Sequence, residues 1–398
     1  MNRKEFLEKA ALASAMIWVP KFLKGSSSPS FGAAAEGKVM VVIQLTGGND
    51  GLNTVVPWQN DIYYKVRPKL AHLAADCLRL DDNLALAPGM EGLKNLYDQG
   101  ELAVVNGVGY PNPNRSHFRS MDIWQSGSSS DQYLQTGWIG RMLDENGPES
   151  LPYHAIEADN GLSLALKGMK MNGIALTSPW QFYQNTREPF FNAIAAQQHH
   201  EAHEHPSLEY LHKTLVETNQ SAQYLHEKSQ IYKSKAEYPL NPFSQHLKMI
   251  AELIVSGSAT KVYYVSLSGF DTHVGQKGKQ GRLLKQYSDA VAAFCKDLKE
   301  NSRFDDTVVM TFSEFGRRVA QNASGGTDHG TASNVFLMGG KLKKPGVFNP
   351  LPSLEDLDKG DLKYSVDFRK IYANLLQDWL KTDPIAVLGE DFGTLGIV

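Results

Sequence analysis

Along this chain, short unbroken apolar runs alternate with longer stretches whose apolar residues recur every three or four positions. The run from Lys38 to Leu45 is almost wholly apolar and ends in Thr46-Gly47-Gly48-Asn49-Asp50-Gly51. That is the pattern of a strand buried on both faces and closed by a turn. Leu102 to Val108, Val262 to Leu267, Thr307 to Phe312 and Asn334 to Met338 read the same way. Helical spacing predicts helices over Pro88–Tyr97, His117–Gln125, Phe243–Val255, Arg282–Glu300 and Tyr364–Leu380. Prolines and asparagines between Tyr110 and Ser116 predict a loop. Strands alternating with helices predict an α/β protein whose mostly parallel central sheet is covered by helices on both faces. Phe191 to Tyr238 is polar and helical, and is expected to be an insertion near 190–240 in a single domain spanning 36–398.

Residues 1–35 read as an address rather than as fold. Arg3-Lys4-Glu5-Phe6-Leu7 is a basic start, a modest apolar run follows from Ala10 to Val19, and Ala33-Ala34-Ala35 supplies small residues for cleavage. The order resembles a twin-arginine export signal with Lys4 in the second arginine's place. The mature chain is expected to begin near Glu36 and to work in the periplasm or outside the cell.

Composition narrows the function classes. The 398 residues carry 40 Lys+Arg against 43 Asp+Glu, a formal net charge of −3, so no basic face for nucleic acid is expected. Cys77 and Cys295 are the only cysteines, which excludes a disulfide framework and a Cys-rich metal site. No apolar run of the mature region is long enough to span a membrane.

In an open α/β sheet, ligands bind beyond the carboxyl ends of the strands. Polar residues cluster at those positions: Asn49-Asp50 after the first strand, Asn114-Arg115-Ser116-His117 after the second, Asp271-Thr272-His273 after the third, and Ser313-Glu314-Phe315-Gly316-Arg317 after the fourth. Thr327-Asp328-His329-Gly330 stands just before the last. Asp271 and His273 are two apart, so an extended backbone turns both to one side. They read either as ligands of one ion or as a capping Asp beside an exposed His. Carboxylate and imidazole together suit zinc or a similar divalent ion. Ser116 reads either as the N-cap of its helix or as a nucleophile at the helix's positive end. Arg115, Arg141 and Arg317 could grip an oxyanion bidentately or form surface ion pairs. His199 to His205 looks like a metal tract but lies in polar helical surroundings, and is read as a surface segment. Gly47 to Gly51 lacks the lysine of a phosphate loop.

Taken in order, Leu45 to Asn53, Arg115-Ser116-His117-Phe118, Asp122 to Gly127, Gly137-Trp138, Gly269 to His273, Ser313 to Arg317, Asp328-His329-Gly330 and Val366 to Arg369 closely resemble a bacterial family catalogued as a domain of unknown function. That family resembles a branch of the alkaline phosphatase and sulfatase superfamily. The resemblance implies an alkaline-phosphatase-like three-layer sandwich. It makes Ser116 the nucleophile, and Asp50, Asp271, His273, Glu314, Asp328 and His329 the metal site. Zinc is the first choice, with calcium, magnesium or manganese as alternatives. The residue after Glu314 is Phe315, where phosphatases place a histidine. There is no cysteine at the nucleophile position, which disfavours a formylglycine sulfatase. The reading is an exported metal-dependent hydrolase of phosphate or sulfate esters, acting on a small-molecule or glycan ester. Ser116 attacks, and Arg115 or Arg317 neutralises the transferring group. The alternative is a non-catalytic binding protein on the same fold with a degenerate metal site.

Overall fold

The computed structural model describes residues 37–189 and 206–398. The expected signal segment, the start near Glu36 and the His199–His205 tract lie outside these residues. A nine-stranded sheet runs through the molecule. Its strands are β1 (Val39–Thr46), β2 (Leu102–Gly109), β3 (Ala155–Glu157), β4 (Ile174–Ala175), β5 (Val262–Ser268), β6 (Thr307–Phe312), β7 (Ser333–Met338), β8 (Gly346–Val347) and β9 (Val366–Asp367). The order across the sheet is β8-β2-β7-β6-β1-β5-β3-β4, with β9 also pairing with β2. Within this sheet, β7 runs against its neighbours β2 and β6, and every other pair is parallel.

β1 shows why the run is continuous. Val39, Val41, Ile43 and Leu45 face one core with α1 (Glu91–Asp98), α4 (Pro242–Val255) and α5 (Gln276–Glu300). Met40 and Val42 face a second core with α2 (His117–Ser126), α3 (Trp138–Glu145) and α6 (Phe368–Asn374). Both sides are dry, so both registers of the strand must be apolar. The three-layer architecture expected from the alternation is the one observed. The polar 24-residue helix Pro206–Ser229 meets this body through buried Ala222 and Leu225, and Tyr224 stacks on Tyr153 at 4.2 Å.

Two elements differ from the sequence reading. The expected Arg282 helix starts earlier, at Gln276, because Gln276 and Gln280 are buried and hydrogen-bonded to Asp50 and Asn49. Polar residues in a wet-looking pattern were facing a dry network. The closing helix starts later than Tyr364: Val366–Asp367 first pairs with β2, and Asp367 then caps the helix by accepting from the Arg369 N–H. Cys77 and Cys295 are both free and buried, and no described helix is long and apolar enough to cross a membrane.

Candidate metal centre

The parallel strands β1, β2, β5 and β6 all release their chains at one rim. β7 runs the other way, so the residues that precede it, Asp328 to Gly330, arrive at that same rim. Five loops thereby meet. Close approach depends on glycine: Gly47 has φ +118°, and a Cβ there would stand 2.4 Å from the Asp271 backbone nitrogen. Gly326 is just as tight, its Cβ position lying 2.2 Å from the His273 carbonyl.

Three imidazoles surround Asp271, and each is gripped at one nitrogen. His117 donates from Nδ1 to Glu314 Oε1 at 2.9 Å. His273 donates from Nδ1 to Asp328 Oδ1 at 3.2 Å. His329 donates from Nδ1 to the Arg115 carbonyl at 2.8 Å. A neutral ring that donates at Nδ1 carries its lone pair at Nε2, and all three Nε2 atoms turn inward. His273 Nε2 lies 3.0 Å from His329 Nε2 and 3.1 Å from Asp271 Oδ1. His329 Nε2 is 3.4 Å from Asp271 Oδ1, and His117 Nε2 is 3.6 Å from Asp271 Oδ2. His117 Nε2 is buried and has no hydrogen-bond partner. Ligand atoms of His117, Asp271 and His329 all lie within 4.8 Å of one another.

Electrostatics follow from the packing. The Glu314 hydrogen bond, working against burial, raises the His117 pKa. Burial lowers that of His329. Burial opposes ionisation of Asp271, but Arg317 and the imidazoles override it and bring its pKa down to about 2. Asn322 leads the groups that hold Asp328 ionised. Converging lone pairs and an ionised carboxylate leave the centre rich in acceptors. Donor atoms on one tetrahedral ion stand about 3.3 Å apart, given bonds of roughly 2.0–2.1 Å. The four spacings given above, 3.0–3.6 Å, bracket that value, and the ligand atoms of His117, Asp271 and His329 reach no farther than 4.8 Å from one another. The residues therefore fit a divalent ion, with His117, Asp271 and His329 as the group that could hold it and His273 beside Asp271 and His329. The oriented Nδ1 atoms match the outer-shell pattern of metal-bound histidines.

The structure brings Asp271, His273, Asp328 and His329 together. Asp328 and Glu314 stand one step out, each holding an imidazole; Glu314 is fully buried and also accepts from the Gly47 N–H at 2.8 Å. Asp50 is elsewhere. Its carboxylate pairs with buried Arg67 at 2.7 Å, accepts from Gln276, and caps Leu52. Arg317 is buried as well. It makes five hydrogen bonds, to the carbonyls of Gly47, Gly48, Phe270 and Thr327 and to Asp271, so its guanidinium rivets the loops together. Arg115 is part-exposed and paired with Asp361. Arg141 is spent on the carbonyls of Ser126, Thr136 and Val387. Ser116 occupies the N-cap position, yet its side chain makes no capping hydrogen bond. The sequence reading missed His117, which the structure turns toward Asp271. The signal was present: Phe315 supplies no imidazole after Glu314, and His117 stands next to Ser116 in a segment already placed at the rim.

No curated protein sequence matches the chain. Among solved structures, it is similar to a lipoteichoic acid synthase from Listeria monocytogenes, at 11% identity over 94% of this chain and 78% of that one, with a TM-score of 0.41. A sulfatase from Pseudoalteromonas sp. is 12% identical over 84% and 72% of the two chains, with a TM-score of 0.35. A phosphonate monoester hydrolase from Silicibacter pomeroyi is 9% identical over 89% and 77%, with a TM-score of 0.39. Residues 37–376 match the family model described as protein of unknown function (DUF1501), and the chain belongs to that family.

Proposed function

We propose that the protein is an exported metal-dependent hydrolase of phosphate or sulfate esters. One observation carries the reading: three imidazoles, each pinned at Nδ1, aim Nε2 at ionised Asp271. A divalent ion held there supplies Lewis-acid polarisation of an ester oxygen and stabilises an alkoxide nearby.

The chain's own residues do the rest. Ser116 directly precedes His117 and is exposed, and its hydroxyl is not committed to the helix cap. Its oxygen forms the bond to phosphorus or sulfur while the alcohol departs, and water later cleaves the seryl ester. The first turn of α2 favours the anionic group in transit. Arg115, part-exposed beside His329, faces the charge on the transferring oxygens. Glu314 and Asp328 keep two of the imidazoles in the tautomer that offers Nε2.

The test is turnover of 4-nitrophenyl phosphate, bis(4-nitrophenyl) phosphate and 4-nitrophenyl sulfate by the purified, zinc-loaded protein. The reading expects hydrolysis of at least one ester, abolished by chelator. Ser116→Ala should abolish turnover with metal content intact. Because no capping bond is lost, its stability should change by less than the ~1 kcal/mol typical of a cap. A Ser116→Gly protein that turns over normally would leave the hydrolase reading but remove the covalent step. A metal-loaded protein inert toward all three esters would contradict the reading.

A further inference from the structure

Arg318 is the residue next to the riveting Arg317, and its surroundings are different. Its side chain is 39% exposed, its Nε lies 3.4 Å from Asp361 Oδ1, and its Nη2 donates to the Lys359 carbonyl at 2.8 Å, which leaves Nη1 for a ligand. Arg115 approaches the other oxygen of the same carboxylate, with its own side chain 42% exposed. Asp361 is fully buried between them, in the hairpin Leu357–Asp358/Asp361–Leu362. Its Oδ1 accepts no hydrogen bond, so that oxygen meets Arg318 by charge alone, while Oδ2 accepts from Arg115.

Both arginines are tied to the metal centre through their backbones. The Arg115 carbonyl holds His329 Nδ1. The Arg318 N–H donates to the Asp328 carbonyl at 3.0 Å, and Asp328 holds His273. The hairpin is fixed to the same loop, since Thr331 Oγ1 donates to the Leu362 carbonyl at 2.6 Å. Two half-open guanidiniums on one buried carboxylate leave a surplus positive charge at the lip of the site. Around the centre, the carboxylates of Asp271, Glu314, Asp328 and Asp361 outnumber the guanidiniums of Arg115, Arg317 and Arg318 by one. A divalent ion reverses that sign and makes the lip attractive to a multiply charged anion.

We propose that Arg115 and Arg318, aligned by Asp361, form a two-guanidinium clamp that selects the doubly charged group of a phosphate monoester. This rests on the hydrolase reading and narrows it, because a sulfate ester or a phosphodiester carries one negative charge. Arg318 is a binding residue and Asp361 a positioning residue. Guanidinium geometry matters to such a clamp, since its planar donors match paired oxyanion oxygens and an ammonium does not.

The experiment uses the zinc-loaded protein and two readouts. Kinetics compare 4-nitrophenyl phosphate with 4-nitrophenyl sulfate and bis(4-nitrophenyl) phosphate. Calorimetry measures binding of inorganic phosphate and of sulfate. The wild type should favour the monoester at least tenfold in kcat/KM and bind phosphate at least tenfold tighter than sulfate. Arg318→Gln should raise the monoester KM tenfold or more, with a much smaller change in kcat, and weaken phosphate binding by a similar factor. Arg318→Lys should recover only part of it. Asp361→Asn should act in the same direction with metal content unchanged. A phosphate affinity unmoved by Arg318→Gln, or a wild type that prefers sulfate or the diester, would overturn the clamp. A protein that binds phosphate through Arg318 but hydrolyses nothing would keep the clamp and refute the hydrolase.

Discussion

At the scale of single residues, identical chemistry has been put to opposite uses. Asp271 is half-exposed, ionised and ringed by Nε2 lone pairs. Asp50 is 1% exposed, and Arg67, which it faces, is wholly buried. Arg67 is further held by the carbonyls of Arg318 and Val319 and by Asn53, so the pair is a structural unit. Removing one partner strands the other charge in a dry site. Asp50→Ala is therefore expected to cost about 3–5 kcal/mol while metal content stays the same. Denaturant melts paired with metal analysis check this; lost metal at full stability would make Asp50 a ligand after all. The sequence made Asp50 legible as a rim carboxylate. It did not reveal Arg67, which lies 17 positions on in a segment with no other rim chemistry.

Glu157 gives the molecule a pH dependence. It is 4% exposed in β3, accepts from the Ser163 N–H at 2.6 Å, and burial pushes its pKa from 4.5 up to about 7. The folded state then holds a proton that the unfolded chain has already released between those values. Stability from this group is full below about 4.5 and is lost as pH rises through about 7. The full span is on the order of 3 kcal/mol, at 1.36 kcal/mol per pH unit. Unfolding midpoints measured from pH 4.5 to 8 should fall for the wild type more than for Glu157→Gln. Parallel curves for the two proteins would show that Glu157 does not titrate in this range.

At the scale of elements, the strands were legible because burial on both faces leaves few polar positions to confuse the pattern, Gln44 and Asn106 among them. What the pattern did not carry is direction. β7 is as apolar as β6, yet its reversal is what delivers His329 to the rim. Nor does spacing say which way a side chain turns. Arg317 and Arg318 are neighbours on one segment, and one is sealed among four carbonyls while the other is half-open and holds one, that of Lys359. The loops that join these elements leave no room for a side chain at Gly47. Gly47→Ala forces a Cβ against the Asp271 nitrogen at a positive φ, a strain of about 1–3 kcal/mol. The expected result is a destabilised protein whose metal affinity also drops, because Asp271 must move. An unchanged melting temperature and metal content would mean the two loops are not in contact.

At the scale of the whole molecule, the sheet works as a frame that gathers five distant segments at one edge. The motifs announced that convergence, since each stood at a strand end. They did not announce its internal order. Glu314, expected as a ligand, stands behind His117, and His117, read only as a neighbour of Ser116, faces Asp271. Which atom touches which depends on side-chain torsions that no spacing rule encodes. Where Phe315 supplies no imidazole, His117 from α2 stands against Glu314 and Asp271.

The central claim is that these histidines and Asp271 hold a metal ion. Anomalous diffraction from crystals of the purified protein, collected on both sides of the zinc absorption edge, tests it most directly. The account predicts one ion per chain, bonded to Asp271 and to Nε2 of His117, His273 and His329, with Glu314 one step behind, and no ion in His117→Ala crystals. Crystals of zinc-supplemented protein with no anomalous peak at Asp271, or with the ion held by Asp50 instead, would contradict it.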